Sequence, residues 1–158
     1  MMIKKTAKIV TLLLAAALCL CSCGKSLKDI KITSYEVTSV TPRGLSAFDA
    51  TIDLGVNNPS VQFSLSAISA TVKMDGTPCL YLTADDVKVE ARSEQVYTLI
   101  LHGVLDKAFN PFSLLTLLQN PDLEPITLDL SYHGSLKGGL GKDFEYKDIK
   151  VKDLIGRL

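Results

Sequence analysis

One nine-residue stretch limits the fold of this chain more than anything else in it. In "FDATIDLGV", residues 48–56, Phe48, Ala50, Ile52, Leu54 and Val56 occupy every second position, while Asp49, Thr51 and Asp53 fall between them. A helix brings residues three and four apart onto one face, whereas a strand sends alternate residues to opposite faces. Period two with acids in the gaps therefore predicts a half-buried strand, apolar on one side and wet on the other.

The same period recurs along the chain, and it changes parity twice. Ile30 and Ile32 alternate, then Tyr35 and Val37 do so on the other phase, which predicts a bulge or bend between them. Val61, Phe63 and Leu65 share one face, and parity flips again before Ile68, Ala70, Val72 and Met74. Turn chemistry separates the runs. "NNPS" at 57–60 carries Asn58 and Pro59, a side chain that closes turns beside a ring that presets φ. "DGTP" at 75–78 carries Asp75 and Gly76. Short strands follow at Cys79–Thr83 and Val87–Ala91, and "RSEQ" breaks the chain. "VYTLILHGVL" then reads as a long apolar strand buried on both faces. Ile126, Leu128, Leu130 and Tyr132 restore the alternation, and "KGGLGK" turns into a last strand around Phe144 to Val151.

One segment departs from period two. In "NPFSLLTLLQNP", Asn110 is suited to a helix N-cap and Pro111 to the first helical position. Leu114, Leu115, Leu117 and Leu118 form an apolar stripe, and Pro121 ends the run. The stripe is expected to be a core face, or a lid over an apolar groove at the open end of the fold. About eight strands and one short helix, with turns every ten or so residues, predict an all-β chain, an antiparallel sandwich of the immunoglobulin or fibronectin kind, with barrel closure the alternative. Phe48, Ile52, Leu54, Val56, Phe63, Leu65, Val72, Leu99, Leu101, Leu128 and Leu130 are its expected core.

The amino-terminal residues follow other rules. Lys4, Lys5 and Lys8 precede an apolar run from Ile9 to Leu20. As a helix this run would be roughly 18 Å long, short of a hydrocarbon core of about 30 Å, and a basic head before a short apolar run is the pattern of an export signal. Three of the four cysteines, Cys19, Cys21 and Cys23, crowd its end. Residues 20–23, "LCSC", resemble the lipobox of bacterial lipoproteins, with Leu20 and Ser22 in its aliphatic and small positions and Cys21 where a small residue is usual. The resemblance implies cleavage before Cys23, diacylglycerol on its sulfur and acylation of its amino group, so that membrane lipid is a partner. Gly24, where enterobacterial sorting would read Asp as an inner-membrane signal, implies the outer membrane, facing the periplasm. The expected organisation is a signal peptide at 1–22, a lipidated terminus and tether at 23–29, and the β domain at 30–152.

The order of elements in that domain is similar to the late embryogenesis abundant type 2 family, the water-stress and hypersensitive-response domain. The residues that carry the likeness are "ATIDLGVNNPSVQFSLSAISATVKMDG", Ala50 to Gly76, with Asn58-Pro59 between two strands and Asp75-Gly76 in the next turn. The resemblance implies a fibronectin-like sandwich with a short helix, an association with desiccation and cold, and a structural rather than catalytic part for Asn58 and Pro59.

Composition narrows the function further. The chain has 17 basic and 17 acidic residues, and without Lys4, Lys5 and Lys8 the acids lead by three, a poor balance for nucleic acid. There is no tryptophan, and the five Tyr and five Phe offer little for base stacking. His102 and His133 have no His or Cys at metal-ligand spacing, and no metal or cofactor is expected. "LKGGLGKD" has Leu136 and Asp143 where a phosphate loop needs Gly and Ser or Thr, so a hairpin is expected there. "ADD" at 84–86 reads as a solvated loop. No G-x-S-x-G elbow occurs, and Cys79, in an apolar run, reads as a buried and inert thiol. The expectation is a chain without enzymatic activity. Its role is binding or protection at a bacterial envelope; the alternatives are an accessory subunit of an envelope protein complex and an apolar-ligand carrier.

Overall fold

The computed structural model describes residues 29–110, 112–113 and 122–155. Cys23 and the residues before it, together with Leu114, Leu115, Leu117 and Leu118, lie outside the described residues. Eight strands run in the order β1 (Lys31–Arg43), β2 (Ala47–Asn58), β3 (Phe63–Met74), β4 (Thr77–Ala84), β5 (Val87–Val89), β6 (Ser93–Leu105), β7 (Ile126–Leu136) and β8 (Gly141–Lys150). A short helix, α1 (Val151–Ile155), follows directly.

Every pairing is antiparallel, and the hydrogen-bonded order is β1-β2-β6-β4-β3-β7-β8, with β5 added beside β3. β4 bonds to β3 on one side and β6 on the other, so one ladder turns the corner between the two layers. β1 and β8 stand at the two ends of this order, and the fold is an open sandwich rather than a closed barrel.

The alternation in β2 places the core. Ala50, Ile52, Leu54 and Val56 are buried, and Asp49, Thr51 and Asp53 are partly exposed on the opposite face. Ile52 and Leu54 pack in one cluster with Phe63, Leu65, Leu99, Leu101, Leu128 and Leu130. Phe48 and Val72, expected in the core, are only partly buried and pack against it. The Phe48 ring lies over Gly103, its cross-strand partner, where an added Cβ would sit 2.4 Å from the ring.

Both parity changes are backbone irregularities. The β1–β2 register shifts between Ile32 and Ser34, so Ile32 opposes Val56 and Tyr35 opposes Leu54 on the same face. The β3–β7 register shifts between Ser66 and Ser69, and Ala67 there has φ of 49°. One extra residue in a strand turns every later side chain over, which keeps Phe63, Leu65 and Ile68 all buried.

Two further expectations change. β6 is not buried on both faces: Leu99, Leu101 and Gly103 are buried, but Val96, Ile100 and Val104 are exposed, Val96 by 64%. Its outer face meets no second layer among the described residues, so burial follows its partner β2 rather than its own hydrophobicity. The last strand stops at Lys150, and Val151 opens α1 instead of closing a strand. Val151 is 1% exposed, so α1 inserts its first residue into the core, and Lys152 pairs with Glu124. The segment after β6 begins as its sequence predicts, with the Asn110 Oδ1 accepting from the Phe112 N–H at 2.9 Å and a helical turn at Phe112-Ser113.

Candidate functional site

The direction of the strands sorts the loops to two ends. The chain enters at Lys31, opposite Asn57, and the 58–62 turn, the 90–92 turn and the β7–β8 hairpin lie at that end. The β1–β2 turn, the β3–β4 turn, residues 106–110 and 122–125, and α1 lie at the other.

At the entry end the two-residue motif Asn58-Pro59 is a knot of hydrogen bonds. Asn58 is fully buried. Its Oδ1 accepts from the Ser60 N–H at 2.9 Å, the Asx geometry that its position before Pro favours. Its Nδ2 donates to the Val61 carbonyl and to the Glu90 carbonyl, each at 2.9 Å. The second of these reaches 32 residues along the chain, to the loop after β5, where Ser93 Oγ also donates to the Glu90 carbonyl at 2.8 Å and Tyr97 Oη accepts from the Glu90 N–H at 3.0 Å. Asn58 thus joins two loops, and every polar atom of its amide is engaged inside the fold. At the far end Asp75 and Gly76 form the β3–β4 turn, with φ of 51° and 79°. Positive φ at both central residues is the hairpin turn that favours Asp-Gly.

The outer face of the β2–β6–β4 layer carries the densest charge cluster that the sequence did not predict. His102 Nδ1 lies 2.8 Å from Asp49 Oδ1 and its Nε2 lies 3.3 Å from Asp85 Oδ1. Both contacts are hydrogen bonds only when the ring carries both protons. The Asp49 hydrogen bond, and then that of Asp85, raise the His102 pKa above the ordinary imidazole value. Asp49 is in turn lowered by His102 and by Arg43, whose Nε donates to it at 2.6 Å. With both ring nitrogens protonated, the arrangement is an ion cluster that joins β1, β2, β6 and the residue after β4. Strand parity alone puts Asp49 and His102 on one face; their pairing needed the β2–β6 register.

The other candidates also have local roles. His133 Nδ1 lies 2.6 Å from Asp143 Oδ1 across the β7–β8 pair. Cys79 is buried, its Sγ donates to the Val72 carbonyl at 3.2 Å, and burial pushes the thiol pKa up, away from the reactive thiolate. The "KGGLGK" stretch is a hairpin, with Gly138 and Gly139 at φ of 107° and 90° and strand β8 after it. Among the described residues no group of three or more His, Cys, Asp or Glu side chains is placed to hold a metal, and no helix is long and apolar enough to cross a membrane.

No family model matches the sequence, and no curated protein matches it. Solved structures do. A protein from Archaeoglobus fulgidus is similar at 16% identity and a TM-score of 0.44, over 74% of this chain and 97% of that one. The GAE domain of yeast GGA1 is similar at 10% identity and a TM-score of 0.29, over 73% of this chain and 96% of that one. A β-glucuronidase of glycoside hydrolase family 2 is similar at 9% identity and a TM-score of 0.34, over 71% of this chain but 10% of the enzyme.

Proposed function

We propose that this chain is a bacterial lipoprotein, held at the cell envelope through acylated Cys23, and that its sandwich domain binds or protects without catalysing a reaction. The observation that carries the proposal is "LCSC" at the end of the Ile9–Leu20 run, behind three lysines. Each buried CH₂ of an acyl chain contributes about 0.8 kcal/mol, and stable anchoring takes two anchoring signals, which diacylglycerol plus an amide-linked chain would supply. Three observations support the non-catalytic reading: Asn58 and Cys79 are buried and bonded within the fold, and the His102 ring, on the outer face, lies against Asp49 and Asp85. The resemblance to the late embryogenesis abundant type 2 family suggests protection during drying, freezing or osmotic stress, at the outer membrane on its periplasmic side.

An accessory role, holding a partner protein in an envelope complex, is favoured by a different observation. Val96, Ile100 and Val104 on β6 and Tyr81 on β4 are exposed on one face. The apolar-ligand alternative rests on Leu114, Leu115, Leu117 and Leu118, which lie outside the described residues.

Intact-mass spectrometry of the chain from a membrane fraction tests the anchor. Loss of Met1 to Ser22 and the added mass of acyl chains are expected, and an unmodified Cys23 refutes it. Deleting the gene should lower survival of drying, freezing and osmotic shock, with a Cys23→Ala copy failing to restore it. Unchanged survival with a stoichiometric co-purifying protein selects the accessory role.

A further inference from the structure

The end of the sandwich at which the chain enters is also the end that a Cys23 anchor would hold to a bilayer. Lys31 opposes Asn57 at that end, and eight residues from Cys23 to Lys31 reach at most about 28 Å even when fully extended. Three loops share this end and are tied into one surface. The Arg92 N–H donates to the Ser60 carbonyl at 3.1 Å, and the Lys137 N–H to the Gln62 carbonyl at 3.4 Å. Leu140 projects from the β7–β8 hairpin 77% exposed, and Val61 is 44% exposed. Lys137 and Lys142 flank Leu140, and both are exposed. Two acids nearby are engaged, Glu90 with Lys88 and Asp143 with His133. An apolar tip between two lysines fits the boundary where acyl chains meet anionic phosphate, since lysine can bury its stem and keep its ammonium at the headgroups.

We infer that this end is a membrane-docking surface: the Leu140 hairpin rests in the headgroup layer of an anionic bilayer, and the β3–β4 turn and α1 point away from it. The inference rests on the lipid-anchor proposal for its direction, but the surface itself is made by the folded domain.

The chain has no tryptophan, so a single one reports its own surroundings. Full chain recovered from membranes is reconstituted in phosphatidylethanolamine–phosphatidylglycerol vesicles as two variants. One is Leu140→Trp; the other is Leu45→Trp, at the opposite end, where Leu45 is 95% exposed. Brominated acyl chains should remove more than half the emission of the Leu140→Trp chain, with a blue shift, and leave the Leu45→Trp chain emitting as in water. No quenching at 140, equal quenching at both ends, or quenching at 45 alone would each overturn the docking surface. Intact mass on the same samples separates the two ideas. Acylated Cys23 with an unquenched Leu140→Trp chain removes the docking surface and leaves the anchor. Unmodified Cys23 removes the anchor, and quenching at 140 on added vesicles then still supports the surface.

Discussion

Replacing Asn58 by Ala should cost the fold more than any other single polar change among the described residues. The side chain is fully buried and makes three hydrogen bonds, two donated to carbonyls and one accepted from the Ser60 N–H. Glu90 keeps a second donor in Ser93 Oγ, so the loss falls chiefly on the Val61 carbonyl and the Ser60 N–H. Val61 is exposed and Ser60 half-buried, so water can reach the freed groups, and the loss is that of the bonds themselves: three at about 0.5–1.5 kcal/mol each bring it to about 2–4 kcal/mol. Against a typical stability of about 5–15 kcal/mol this is a large share. With a urea m-value of about 1–3 kcal/mol/M, the midpoint should fall by about 1–2 M. Asn58→Asp keeps the shape and the acceptor but sets a carboxylate against two carbonyls, and it should be at least as damaging at neutral pH. Urea melts followed by far-ultraviolet circular dichroism measure all three chains. A midpoint for Asn58→Ala within about 0.3 M of the parent would refute the reasoning, because the amide would then be doing no more than an exposed turn residue.

Three further outcomes can be checked with the same protein. Leu54→Ala should cost about 2–5 kcal/mol in urea melts, whereas Asp53→Ala, which removes one exposed bond from Thr98 Oγ1, should cost under about 1 kcal/mol; equal costs would mean the facing of β2 is wrong. His102, with its pKa raised, contributes stability that is fully present below the ordinary imidazole value of about 6.5 and is lost as pH rises through the raised one, so the parent's melting temperature should fall across that range and His102→Gln should not follow it. Cys79 should be silent to an aromatic disulfide reagent in the native domain of a chain with Cys19, Cys21 and Cys23 replaced by Ser, and should react at once in urea; prompt native reaction would contradict its burial.

Much of the sandwich is visible in apolar spacing, because burial on one face leaves a period that survives local irregularity. The switch from Leu65 to Ile68 marks the bulge at Ala67, and the step from Ile32 to Tyr35 marks the shift in β1. The same clue lies unused in β8, where Phe144 and Tyr146 share a parity that Ile149 breaks, next to the register shift between Leu128 and Leu130 and the positive φ of Asp148. Spacing misleads where a run is apolar on both phases: Val96, Ile100 and Val104 look like core residues until the neighbour on their face is known. The turn role of Asn58 follows from its position before Pro59, but its bond to the Glu90 carbonyl is a product of tertiary packing and leaves no trace in local sequence. The Asp49–His102–Asp85 cluster is hidden for the same reason, since each partner comes from a different part of the chain.

The corner made by β4 has a consequence for how quickly the chain can find this shape. The β1–β2, β3–β4 and β7–β8 pairs join neighbours through short turns and can close on a microsecond scale, at about 1–10 μs for a hairpin. β2 and β3 each gain one partner in this way and wait for another. β2 receives β6, and β3 receives β7, whose Ser131 hydroxyl meets that of Ser69 at 2.8 Å across 62 residues of chain. β4 meets β6 across a shorter stretch of chain and can join the halves sooner, but the closure entropy of the two longer-range ladders must still be met, which places the domain with the slow, non-local β folders that take about milliseconds to seconds. Until then the inner edges of β2 and β3 are open templates on which a second copy of the chain could pair, so dilute refolding should give a higher yield of the folded domain than concentrated refolding.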